Sequence, residues 1–260
     1  MKERQVAVPA PSGSMETFVA HPSEDGPHPA VVIYMDIWGV REELFDIARR
    51  VATVGYYCLV PDLYHRQGKI RNEFRNEKNQ MISLDRLDPD KQELVRAPWR
   101  KLTHEMVMAD TRALLDFIDH GEPVRAGAVG AIGYCMGGRH AFLAAGHFPE
   151  RFRASASLHG TRFITDEPDS PHLLAPKLRG ELYCGFPDND PGAPATMIKA
   201  LSETLQGCSV RYRHEIHQGV EHGYALPDRD IYDKRAANRD WELIFAMFQR
   251  QIPPYQAGSN

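Results

Sequence analysis

The sequence predicts an α/β fold, with a mostly parallel central sheet, helices on both faces and an antiparallel hairpin at one edge. Three observations carry this. Short, β-branched, nearly all-apolar runs recur along the chain, as strands buried on both faces require. Stretches with apolar residues at helical spacing alternate with them. Glycine or proline marks many of the junctions between the two.

Taken in order, strands over 5–8 and 16–20 flank Ser12-Gly13-Ser14 and read as the edge hairpin. Ala30-Val31-Val32-Ile33-Tyr34 is the first central strand. A helix over 41–54 sets Leu44, Ile47, Ala48 and Val51 on one face and ends at Gly55. The next strand, 56–60, is stopped by Pro61. A polar stretch over 67–100 has few large apolar residues and reads as a surface excursion with some helix. Helical spacing resumes through Met106, Val107, Ala113, Leu114, Phe117 and Ile118, closing at Gly121. Then follow strand 126–132, helix 137–145, strands 154–158 and 181–185, helix 194–205, strand 209–216 and a last helix over 231–251. No repeat and no interdomain linker appears, so 1–260 reads as one domain with 256–260 as a loose end.

Bulk properties narrow the function. The chain is 42% hydrophobic and 25% charged with a formal net charge of −4, and it has no basic block, so nucleic acid and membrane surfaces are not expected partners. No apolar run approaches a bilayer span, and the charged N-terminus precedes Val6-Ala7-Val8-Pro9, too short for a signal-peptide core. Cys58, Cys135, Cys184 and Cys208 lie far apart without CxxC spacing, which argues against zinc or a disulfide framework and for reduced thiols in the cytoplasm. Nothing demands a metal or organic cofactor.

The most informative segment is Gly133-Tyr134-Cys135-Met136-Gly137-Gly138-Arg139. Gly-x-Cys-x-Gly between a strand and a helix is a nucleophile elbow with sulfur in place of the usual serine oxygen, which specifies an α/β-hydrolase fold. A strained turn crowded by its own neighbours needs positions without a Cβ on either side. The thiol then stands over a helix N-terminus whose dipole favours thiolate, and the Met136 N–H is aimed at a developing oxyanion. Cys58 and Cys184 lie inside apolar strands and read as core.

A thiol nucleophile needs a base, and the base needs an orienting acid. In the order nucleophile, acid, histidine, the acid loop after strand 181–185 offers Asp188 and Asp190, and the loop after strand 209–216 offers His222. Of twelve histidines, only His222 has that loop position and order. Trp38 and Tyr224 adjoin these loops and are candidate substrate-binding residues, with Tyr64, Arg66, Trp99 and His159 as further candidates.

These residues resemble the dienelactone hydrolase family over most of the chain. The matching segments are Tyr34-Met35-Asp36-Ile37-Trp38-Gly39-Val40, Pro61-Asp62-Leu63-Tyr64, the elbow, Asp190-Pro191-Gly192-Ala193-Pro194 and Glu221-His222-Gly223-Tyr224-Ala225. The resemblance implies an ester or lactone hydrolase with Cys135 as nucleophile, His222 as base and Asp190 as acid. It also implies Asp36 as partner of the resting thiol, and the Ile37 and Met136 N–H groups as the oxyanion hole. Two departures bear on specificity. The family's prototype has glutamate in the Asp36 slot, and Leu226 stands where it has a substrate-binding arginine, the nearest here being Arg229.

Two other readings compete. Glutamine amidotransferases share the cysteine elbow but place histidine and glutamate two apart, which no late segment offers. A thiol redox or binding protein on an inactive hydrolase fold would lack turnover.

Overall fold

The computed structural model describes residues 1–255, and the expected loose end at 256–260 lies outside the described residues. Eight strands form one sheet in the order β1-β2-β4-β3-β5-β6-β7-β8. The strands are β1 (Lys2–Ala10), β2 (Gly13–His21), β3 (Ala30–Tyr34), β4 (Tyr57–Pro61), β5 (Val129–Tyr134), β6 (Phe152–Leu158), β7 (Glu181–Pro187) and β8 (Arg211–His217). From β4 to β8 every pairing is parallel, while β1 and β2 form the antiparallel edge hairpin and β2 runs antiparallel to β4.

The central strands β3, β4 and β5 are buried along their whole length, as unbroken apolar runs require when helices cover both faces. Helices α1 (Glu42–Ala52) and α6 (Lys234–Gln251) share one face, where Arg50 lies over the Trp241 ring at 5.9 Å. Helices α3 (His104–Asp119) and α4 (Met136–His147) pack together on the other, and α5 (Ala195–Gln206) flanks β8. Three helix starts carry caps. Asp88 accepts from Lys91 N ahead of α2 (Pro89–Arg100), Thr103 from Met106 N, and Asp233 from Ala236 N. At the start of α4 stands Cys135, whose side chain makes no capping bond.

Three expectations are corrected. The second central strand runs one residue further than 60, with Pro61 as its last member, opposite Thr17 of β2 and beyond the reach of the β3 pairing. The strand before the elbow begins later than residue 126 and runs on to Tyr134, so it delivers the next residue, Cys135, directly at its carboxyl end. The 67–100 stretch is more than a surface excursion. Met81, Leu87 and Val95 bury themselves with Trp38 in a second apolar cluster, apart from the main core. Met81 also exchanges backbone bonds with the later loop, its N–H donating to Asp228 O at 2.7 Å and its carbonyl accepting from Asp230 N at 3.0 Å. This segment therefore roofs the carboxyl edge of the sheet. Among the described residues, no helix is long and apolar enough to cross a membrane.

Candidate active site

The elbow has the geometry its spacing requires. Cys135 adopts φ 56° and ψ −119°, a left-handed φ that costs a non-glycine residue energy and persists only where the surroundings impose it. The surroundings do impose it. A Cβ on Gly133 would fall 1.9 Å from the carbonyl oxygen of Gly137, and one on Gly137 would fall 2.4 Å from that of Tyr34. The Cys135 N–H donates to Leu158 O at 3.0 Å and to Nδ1 of His159 at 3.1 Å. Cys58 and Cys184 are fully buried, as expected of core thiols, and burial raises both. The Cys135 side chain is half-buried and faces a cavity of about 610 Å³.

The acid and histidine loops converge on that thiol. Nδ1–H of His222 donates to Oδ2 of Asp190 at 2.6 Å, and the ring lines the same cavity as Cys135. Asp190 is buried and also accepts from Gly192 N at 2.8 Å, which fixes its carboxylate. Asp188 is exposed, and its backbone N–H pairs with His217 O. Burial opposes protonation of His222, but the cysteine and aspartate on its two sides outweigh it and push its pKa up to about 10.

His159, offered from sequence only as a pocket residue, supports the elbow from below. Its Nδ1 accepts the Cys135 N–H, so the neutral ring carries its proton on Nε2. Burial, then the nearby His222 and Arg229, hold its pKa well below the usual histidine value. The ring meets His222 edge-on, with centroids 5.0 Å apart.

Met136 opens α4, so its N–H is among those a helix leaves without an internal partner. Ile37 follows β3 and lines the same cavity. Tyr64 touches both residues. Its hydroxyl donates to Ile37 O at 3.0 Å and lies 3.7 Å from Met136 Sδ.

Several expected roles are corrected. Tyr64 and Tyr224 are fully buried and do not line the cavity, because each hydroxyl is spent inside the protein: Tyr64 on Ile37, and Tyr224 on Asp240 at 2.6 Å. Arg66 is drawn away by Asp110, bound through both guanidinium nitrogens at 2.6 and 2.8 Å. Trp38 and Trp99 do line the cavity. Asp36 reaches it too, but its carboxylate is directed to Arg41, at 2.8 and 3.0 Å, rather than to the thiol. A buried carboxylate is stabilised by a bidentate guanidinium far more than by a neutral donor, and Arg41 is itself held on its far side by Asp228 at 2.7 Å. Arg229 is buried in the cavity wall with its guanidinium 5.2 Å above the Trp38 ring.

Sequence reasoning missed Arg41, Asp228 and Arg139, and gave His159 the wrong task. Position offered one signal, since His159 directly follows β6 at the same sheet edge as Cys135. Among the described residues, no group of three or more His, Cys, Asp or Glu is placed to hold a metal. His214, the histidine considered for an amidotransferase pair, sits within edge strand β8 stacked on Tyr212.

A model of the dienelactone hydrolase family matches residues 15–252. The "Putative carboxymethylenebutenolidase" of Methylorubrum extorquens is 26% identical over 95% of this chain and 80% of its own length. The crystal structure of a "Putative Dienelactone Hydrolase" from Klebsiella pneumoniae superposes with a TM-score of 0.81 at 24% identity, covering 96% of this chain and 98% of that one. A dienelactone hydrolase from Anabaena variabilis superposes at 0.65 with 15% identity, over 96% and 98% of the two chains. At these identities the structures show a shared fold.

Proposed function

The chain belongs to the dienelactone hydrolase family, and from that premise we propose that it hydrolyses a small carboxylic ester or lactone through a thioester on Cys135. One observation supports this above the others. Cys135, Asp190 and His222 line one cavity with both candidate oxyanion residues, and His222 is bound to Asp190 through Nδ1 at 2.6 Å.

Cys135 Sγ attacks the carbonyl carbon, and the carbonyl electron pair moves to oxygen, where the Met136 and Ile37 N–H groups receive it. The raised His222 enters this step as imidazolium, paired with thiolate. On collapse the C–O bond breaks and His222 gives its Nε2 proton to the leaving alcohol, or to the ring-opened hydroxyl of a lactone. Neutral His222 then takes a proton from water, whose oxygen attacks the thioester carbonyl. Breakage of the C–S bond releases the acid and regenerates the ion pair. Asp190 keeps the ring in the tautomer and orientation this sequence needs.

In this reading one domain carries the whole site, and the four unpaired cysteines suit a reducing, cytoplasmic setting. Acid-quenching the protein during turnover of an aryl ester, followed by peptide mass spectrometry, tests the intermediate. An acyl adduct on the Cys135 peptide is expected. An adduct on another side chain would refute the assignment.

A further inference from the structure

The Ile37 N–H sits in a four-residue turn, Asp36–Gly39, whose first two peptides are held differently. The Ile37–Trp38 peptide is bound at both ends. Its carbonyl accepts from the Tyr64 hydroxyl at 3.0 Å, and its N–H donates to Oδ1 of Asp36 at 3.1 Å. The Asp36–Ile37 peptide is bound at its carbonyl, which accepts from the Gly39 N–H at 3.2 Å. Among the described residues, the Ile37 N–H has no backbone acceptor. A trans peptide points its C=O and N–H in opposite directions, so the bond to Gly39 turns the Ile37 N–H out of the turn.

A buried guanidinium closes this turn. Arg41, its side chain 1% exposed, reaches back across it. Nη1 donates to Oδ1 of Asp36 at 2.8 Å and to Gly39 O at 3.3 Å, while Nη2 donates to Oδ2 of Asp36 at 3.0 Å. The first and last residues of the turn are thus held by one planar group. The far edge of that group is anchored in turn. Nε and Nη2 donate to the two oxygens of Asp228 at 2.7 and 3.3 Å, and the Asp228 carbonyl accepts from the Met81 N–H of the roof at 2.7 Å. A rigid fork can span Asp36, Gly39 and Asp228 together, whereas an ammonium is a single point of charge.

Resting on the hydrolase reading above, we propose that Arg41 is a positioning residue for the reaction. Anchored by Asp228, it holds the Asp36–Gly39 turn in the shape that presents the Ile37 N–H to the oxyanion of the tetrahedral intermediate. It touches neither the thiol nor the substrate. Its contribution is made through the direction of one peptide N–H, and it is spent in the transition state rather than on substrate binding.

Arg41→Lys and Asp228→Asn, compared with the wild-type protein, test this by three readouts. With 4-nitrophenyl acetate, kcat is expected to fall about 10- to 10²-fold in both while KM stays within about threefold, approaching the loss of one oxyanion donor. Binding of 2,2,2-trifluoroacetophenone should weaken by a similar factor. Its carbonyl carbon takes the Cys135 sulfur while the carbonyl electron pair moves to oxygen, which needs the same N–H. Alkylation of Cys135 by iodoacetamide, which forms no oxyanion, should keep its wild-type rate. Should Arg41→Lys fail to fold, Asp228→Asn carries the same comparison. A lowered Tm with wild-type kcat and ketone affinity would make the ion-pair chain merely structural and overturn the proposal. Parallel losses in kcat and alkylation would also overturn it, because the thiol itself would then have been disturbed. Wild-type protein that binds the ketone but cleaves no ester would sink the hydrolase reading, and the ketone's affinity for the two variants would still decide the role of Arg41. Wild-type protein that does neither would overturn both.

Discussion

The hydroxyl of Tyr224 donates to Oδ2 of Asp240 at 2.6 Å, so the loop that carries His222 is tied to helix α6 two residues past the histidine. The same fully buried carboxylate takes the Tyr183 hydroxyl at 2.6 Å and Nε2 of His217 at 2.7 Å on its other oxygen. Burial first, and then Asp240, hold both phenols well above the usual tyrosine range, so they stay donors. Asp240→Asn puts an N–H₂ group against these donors and should cost about 2–4 kcal/mol of stability. Urea unfolding measures it. An unchanged midpoint would show that the network is slack.

The two aspartates of the acid loop should separate cleanly. Asp190→Asn removes the charge that orients His222 and is expected to lower kcat by about 10³- to 10⁴-fold, the scale known for triad acids. Asp188→Asn changes an exposed side chain and should stay within about twofold, as surface substitutions usually do. Equal losses in steady-state assays would leave the choice of Asp190 without support.

The raised pKa of His222 has a signed consequence. Its folded value, about 10, exceeds the ordinary 6.5, so the stability it contributes is fully present below about pH 6.5 and is lost as pH rises through about 10. The cysteine is the largest of the contacts that raise it. The fall in Tm between pH 6.5 and 10 should therefore be steeper in wild type than in Cys135→Ala. Parallel Tm-against-pH curves would contradict the ion pair.

How far the sequence reached depends on range. The all-apolar run at Ala30–Tyr34 and the glycines around Cys135 act locally, so strand and elbow were legible, and chain order alone placed His222. The partner of Asp36 was not legible. Arg41 is near in sequence, but it is aimed by Asp228, 187 residues away. The roof shows the same limit. Met81, Leu87 and Val95 are too sparse to announce a core, and they become one only because Trp38 meets them from another loop. Tyr224 looked like a pocket residue because it adjoins the histidine loop, and Tyr64 was a further candidate, yet both hydroxyls face inward. Direction depends on tertiary packing that no local pattern records.

The sulfur of Cys135 bears the central claim. Purified wild-type protein and Cys135→Ala, compared on the same activated aryl ester, test it most directly. A loss in kcat of about 10⁴-fold or more is expected of a nucleophile that acts as a unit with its base. Retention of most of the wild-type rate by the alanine variant would contradict it.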